Sequence, residues 1–195
     1  MIAAFPGKGE PAMRVICYGD SNTFGFDPRS FLGSRYDASC RWVDILAAET
    51  GWDVRNYGTN GLEIPRHDVS FSESPDLLIV MLGTNDLLQG ADPEATARRM
   101  GNFLERLSVD RRTILLIAPP PLKRGEWVTE DQLVQNAITL GSLYRRQAEE
   151  KNVLFADAGA WSIPLAFDGV HMTEEGNKRF AANLLRHMKQ HLFLD

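Results

Sequence analysis

The chain has 195 residues, 44% hydrophobic and 24% charged, which suits a globular domain with its own core and excludes disordered, collagen-like and disulfide-scaffold chains. Its 21 Lys and Arg against 26 Asp and Glu leave a net charge of −5 with no sustained basic run, which argues against nucleic acid as a partner. The longest apolar stretch, Leu77 to Leu82, is far below the roughly 18 residues of a membrane span, so no membrane insertion is expected.

Residues 1–12 hold Pro6, Gly7, Gly9 and Pro11 and read as a flexible arm, with 13–195 expected to form a single domain. Met1 and Met13 are both candidate starts. The first strand is expected at Arg14–Tyr18, then a helix at Ser39–Thr50 and a second strand at Asp53–Tyr57. The segment Gly61–Pro75 fits either a short helix or a loop. A third strand, Leu77–Leu82, precedes a helix at Pro93–Leu107, whose proline suits a first turn. A fourth strand at Thr113–Ala118 is followed by a helix at Glu130–Lys151, a fifth strand at Val153–Ala156 and a last helix from Thr173 to about Leu192. Strand runs that are continuously apolar imply burial on both faces. Strands alternating with helices give a parallel sheet covered on both sides, a three-layer α/β/α sandwich. Cys17 and Cys40 are the two cysteines; without a secretory signal they point to a reducing compartment, the cytoplasm, and to unbridged thiols.

Ligands of such sheets bind beyond the carboxyl ends of the strands. There the sequence reads Gly19-Asp20-Ser21-Asn22-Thr23 after the first strand, Gly58-Thr59-Asn60-Gly61 after the second and Gly83-Thr84-Asn85-Asp86 after the third. Pro119-Pro120-Pro121 follow the fourth, and Asp168-Gly169-Val170-His171 lie beyond the fifth. A serine hydroxyl becomes a nucleophile when an imidazole takes its proton and a carboxylate holds that imidazole. Ser21, His171 and Asp168 supply these three groups. Attack on an ester places negative charge on the carbonyl oxygen, for which the candidate donors are the N–H groups of Ser21 and Gly61 and the side-chain amide of Asn85. The order Ser, Asp, His also occurs in α/β-hydrolases, but the Gly-x-Ser-x-Gly elbow is absent, with Thr23 at the position of its second glycine.

Taken together, these residues resemble the SGNH hydrolases, the GDSL esterases and lipases. Gly19-Asp20-Ser21 is similar to the family's nucleophile block, Asn56–Gly61 to its glycine block, Gly83–Asp86 to its asparagine block and Asp168–His171 to its Asp-x-x-His block. The resemblance implies Ser21, Gly61, Asn85 and His171 as the namesake positions, with Asp168 completing a triad. It also implies a flavodoxin-like five-stranded parallel sheet of order 2-1-3-4-5. The stretches Met81–Asp86, Ala118–Leu122 and Arg41-Trp42 look most like bacterial arylesterase and acyltransferase members.

Each residue also has a structural reading: Ser21 as a helix cap, Gly61 and Asn85 as turn residues, His171 as a solvated histidine. His187 and His191 are spaced to share a helix face, which suits a solvated face better than a metal pair, and His67 is a rim or surface residue. No metal and no cofactor are expected. Phe24, Phe26, Trp127, Trp161 and Phe167 are the aromatic candidates for a substrate pocket. The leading functional expectation is a serine esterase acting on small short-chain esters, with a small-molecule ester as partner and homo-oligomerisation left open. The alternatives are an O-acetyl esterase of carbohydrates or other acetylated metabolites and, from another class, a nucleotide- or flavin-binding module. Asp20 disfavours the last, because no phosphate-cradling loop follows the first strand.

Overall fold

The computed structural model of the protein describes residues 12–30, 32 and 34–191; of the expected arm, all but Ala12 lies outside them. Five strands, β1 (Arg14–Gly19), β2 (Asp53–Gly58), β3 (Leu77–Met81), β4 (Ile114–Ala118) and β5 (Leu154–Asp157), form one parallel sheet of order β2-β1-β3-β4-β5. The helices are α1 (Ser21–Phe24), α2 (Trp42–Thr50), α3 (Thr84–Leu88), α4 (Pro93–Arg106), α5 (Asp131–Lys151) and α6 (Glu174–His191).

The period of two along each strand divides the core. Val15, Cys17, Leu77, Ile79, Met81, Leu115 and Ile117 face one side and pack with Trp42 and Leu46 of α2 and Phe180 and Leu184 of α6. Their neighbours Ile16, Leu78, Val80, Ile114 and Leu116 face the other, against Met100 and Phe103 of α4 and Leu140 and Tyr144 of α5. All residues of β3 and β4 are buried. The expectation of two-sided burial fails for β2, an edge strand, where Arg55 and Tyr57 are exposed and Asp53, Val54 and Asn56 half-buried.

The helix expected at Ser39–Thr50 begins at Trp42, because Arg41 is extended (φ −90°, ψ 130°) and separates it from a 3-10 turn over Ala38–Cys40. Pro93 does open α4, with the Asp92 side chain accepting the Ala95 N–H as its cap. Residues 61–75 form an irregular loop without a helix. Cys17 is buried and Cys40 half-buried, both as free thiols, and burial pushes the Cys17 thiol upward. Among the described residues, no helix is long and apolar enough to cross a membrane.

Candidate active site

At the end of β1 the chain turns directly into α1, a single turn too short to leave a periodic trace in the sequence. Asp20 is its N-cap: the carboxylate accepts the Asn22 N–H at 2.9 Å, so Ser21 is the first helical residue rather than the cap. Asp20 therefore points inward, and burial pushes its carboxyl up to about 6 although the Asn22 N–H and the nearby His171 and Thr84 favour its ionised form.

The structure brings Ser21 against His171, 150 positions later: Ser21 Oγ lies 2.8 Å from His171 Nε2. His171 Nδ1 lies 2.6 Å from Asp168 Oδ2. The second oxygen of Asp168 accepts the N–H groups of Val170 at 2.8 Å and His171 at 3.0 Å. Burial raises the Asp168 carboxyl, but these bonds outweigh it and hold the group below the ordinary carboxylate range. An anion thus sits behind the imidazole, which fixes the tautomer with the proton on Nδ1 and leaves Nε2 to accept from Ser21.

Gly169 makes this loop feasible. It adopts φ +80°, and a Cβ there would lie 2.1 Å from the Lys123 carbonyl oxygen. The close approach is a strap: Lys123 N–H donates to Gly169 O (3.0 Å), Glu126 N–H to Phe167 O (3.1 Å) and Trp127 N–H to Asp168 O (3.1 Å).

The loop after β2 is held from both sides. Thr59 N–H donates to Gly19 O at 3.0 Å, Asn85 Nδ2 donates to Leu62 O at 3.1 Å, and Asp86 Oδ2 accepts the Ile64 N–H at 3.1 Å. Asp86, fully buried, is paired with Arg99. Gly61, at φ +73°, is exposed at the head of this loop. The bond to Leu62 O uses one N–H of the Asn85 amide and leaves a second for another acceptor.

Asn22 has a role that its position beside the serine did not reveal. Its amide donates to Val170 O at 3.2 Å and accepts the Met172 N–H at 2.9 Å, so it clamps the histidine loop to α1. Only a pair of complementary backbone groups distant in sequence gives it this task, and no local signal carries that. Asn56 acts similarly on the other side, donating to Thr23 O at 2.9 Å and accepting the Gly58 N–H at 2.8 Å.

The aromatic candidates separate. Phe26 lies 4.6 Å from the His171 ring, centroid to centroid, and Trp127 5.3 Å away, edge-on. Phe24 is half-buried under the Arg35 guanidinium, and Phe167 is exposed. Trp161, the remaining candidate for a substrate pocket, has other neighbours. It packs against Phe180 and His187 on the α6 side of the core, because the short turn after β5 folds it under that helix. Together with Arg145, His187 and His191 it walls a cavity of about 490 Å³, and Pro119–Pro121 wall another of about 470 Å³ with Val134 and Ile138. The His187 and His191 rings are 4.7 Å apart; no cluster of three or more metal-ligating side chains occurs among the described residues. His67 is exposed on the loop after β2.

Residues 17–179 match the GDSL-like lipase/acylhydrolase family. An isoamyl acetate-hydrolyzing esterase 1 homolog from Bos taurus is 27% identical over 88% of this chain and 80% of its own length. An acetylxylan esterase from Xylanibacter ruminicola is 23% identical over 92% of this chain, which spans only 44% of that larger protein. The solved structure of the M. smegmatis aryl esterase superposes with a TM-score of 0.73 at 25% identity, over 93% of this chain and all of that one. A flavodoxin-like sheet alone would equally suit a nucleotide- or flavin-binding protein; with the family match over most of its length, the chain belongs to the GDSL-like lipase/acylhydrolase family and is an ester-hydrolysing enzyme of the SGNH type.

Proposed function

We propose that the protein hydrolyses small, short-chain carboxylic esters through an acyl-enzyme on Ser21. The observation that carries this is the buried relay from Ser21 Oγ to His171 Nε2 at 2.8 Å and from His171 Nδ1 to Asp168 at 2.6 Å. Ser21 Oγ attacks the ester carbonyl as His171 Nε2 takes its proton, and the Asp168 carboxylate stabilises the imidazolium so formed. The oxyanion receives the N–H groups of Ser21 and Gly61 and the free N–H of Asn85. Collapse of the tetrahedral intermediate breaks the ester C–O bond, and His171 returns its proton to the departing alcohol. Water then attacks the acyl-enzyme along the same path, restoring Ser21.

A short acyl group is supported by the acetate ester in the bovine relative's name. Treatment with a fluorophosphonate followed by peptide mass spectrometry is expected to place the adduct on Ser21. Ser21→Ala is expected to lose the adduct and about 10⁴-fold or more in kcat on 4-nitrophenyl acetate. An adduct on another residue, or a folded Ser21→Ala protein with unchanged turnover, overturns the proposal. A series from acetate to octanoate is expected to peak at the short end.

A further inference from the structure

Gly61 has no side chain to anchor it, and a Cβ built there would have nothing within 4 Å, so the direction of its N–H is set by the residues on either side. Before it, the Thr59 N–H is bonded to Gly19 O at 3.0 Å. After it, four consecutive residues are each gripped from outside the loop. Asn85 holds Leu62 O at 3.1 Å, Arg99 Nη1 the Glu63 carboxylate at 3.3 Å, Asp86 Oδ2 the Ile64 N–H at 3.1 Å and Arg106 Nη2 Pro65 O at 2.7 Å.

Two of these grips come from α3 and two from α4. Arg99 and Arg106 are seven residues apart and so lie on one face of α4, whose buried Met100, Phe103 and Leu104 fix the helix in the core. Arg99 has the wider reach. The same Nη1 pairs with Asp86 Oδ1, so one guanidinium joins the exposed carboxylate of Glu63 to a carboxylate that is fully buried. Burial raises the Asp86 carboxyl, whereas the Ile64 N–H and Arg99 favour its ionised form. Without Arg99, an unpaired buried carboxylate would sit one residue from Asn85, and Asp86 would lose the partner that turns its other oxygen toward Ile64.

We propose that Arg99 is a positioning residue for ester hydrolysis: through Asp86 and Glu63 it holds the 61–65 loop so that the Gly61 N–H converges with the Asn85 amide on the oxyanion. This rests on the assignment of those two donors to the oxyanion. Arg99 acts on the substrate only through the two carboxylates. Its effect belongs to the transition state, since the donors it aims meet full charge only in the tetrahedral species.

Trifluoroacetone isotopically labelled at its carbonyl carbon reads the oxyanion directly. Ser21 Oγ bonds to that carbon, the C=O π bond opens to an oxyanion and His171 Nε2 takes the serine proton; the NMR shift of the labelled carbon then follows ionisation of the hemiketal oxygen with pH. Arg99→Met is expected to move that ionisation upward by about one pH unit, a tenfold weaker hold on the oxyanion, and to lower kcat on 4-nitrophenyl acetate about tenfold with KM within about twofold. A merely structural role would lower Tm and leave the hemiketal unmoved. The double variant Arg99→Met/Asp86→Asn has no unpaired buried charge and still lacks both grips of Arg99, so it is expected to show the same upward move and decides the question if Arg99→Met does not fold. Arg98→Met, which removes the same charge from an exposed neighbour on α4, is expected to change neither reading. If Asn85→Ala moves the ionisation upward while the folded Arg99 variant leaves it unmoved, or if Arg98→Met moves it equally, the proposal is overturned. Failure of the underlying assignment looks different: Asn85→Ala then leaves the hemiketal ionisation unmoved as well, and the role of Arg99 falls with it.

Discussion

Replacing Asn85 by alanine removes two separate interactions whose costs appear in different measurements. One N–H of the amide holds Leu62 O at 3.1 Å and so ties the Gly61 loop to α3. Losing this half-buried bond is expected to cost about 1 kcal/mol of stability, a fall in Tm of about 2–4 °C for a chain of this size. The other N–H is the proposed oxyanion donor. That charge is complete only in the tetrahedral intermediate, so its loss is expected to lower kcat by about 10²–10³, or roughly 3–4 kcal/mol, with a much smaller change in KM. Asn85→Asp is expected to fall further, because a carboxylate would face both Leu62 O and the oxyanion. Thermal melts of both variants and steady-state kinetics on 4-nitrophenyl acetate separate the two effects. If Asn85→Ala shows the expected fall in Tm but keeps kcat within about threefold, where the donor's loss should cost 10²–10³, the oxyanion role is wrong and Asn85 only secures the loop.

Asn22→Ala leaves the buried Val170 carbonyl and Met172 N–H without their partner, and is expected to cost about 2–4 kcal/mol and at least a tenfold loss of kcat as the histidine loop drifts. A variant with wild-type Tm and turnover would remove the clamp from the account. Gly169→Ala places a methyl at φ +80° against the Lys123 carbonyl, and a loss of more than about 2 kcal/mol is expected; a melt within a degree or two of wild type would contradict it. Asp20 gives a pH signature. Its folded value of about 6 lies above that of the unfolded chain, so between about pH 4 and 6 the native state binds more protons and stability falls as pH rises. Asp20→Asn keeps a good cap and removes the charge, so its advantage over wild type is expected to grow from near zero at pH 4 to on the order of 2–3 kcal/mol at pH 7. An advantage independent of pH would show that Asp20 is not the titrating group.

Much of this protein was legible without coordinates because the signals are local. Runs such as Leu77–Leu82 bounded by Gly83, and the proline at the start of α4, place strands and long helices to within about three residues. The residues at the strand ends resemble one family closely enough to expect the sheet order and to single out Ser21, Gly61, Asn85, Asp168 and His171. What the chain alone did not decide is each side chain's surroundings. Arg55 and Tyr57 are exposed on the edge strand β2, and the apolar run that marks a strand does not by itself say how well its faces are covered. The turns α1 and α3 are too short for a 3.6-residue period to register. Trp127 and Trp161 are equivalent as letters near the same rim, yet backbone bonds to the Asp168 loop hold one beside His171 while the other packs, half-buried, against α6. Contacts such as Asn22 with Val170 and Met172 join positions about 150 apart, and only the folded arrangement of β1, β5 and α6 brings those complementary groups within reach.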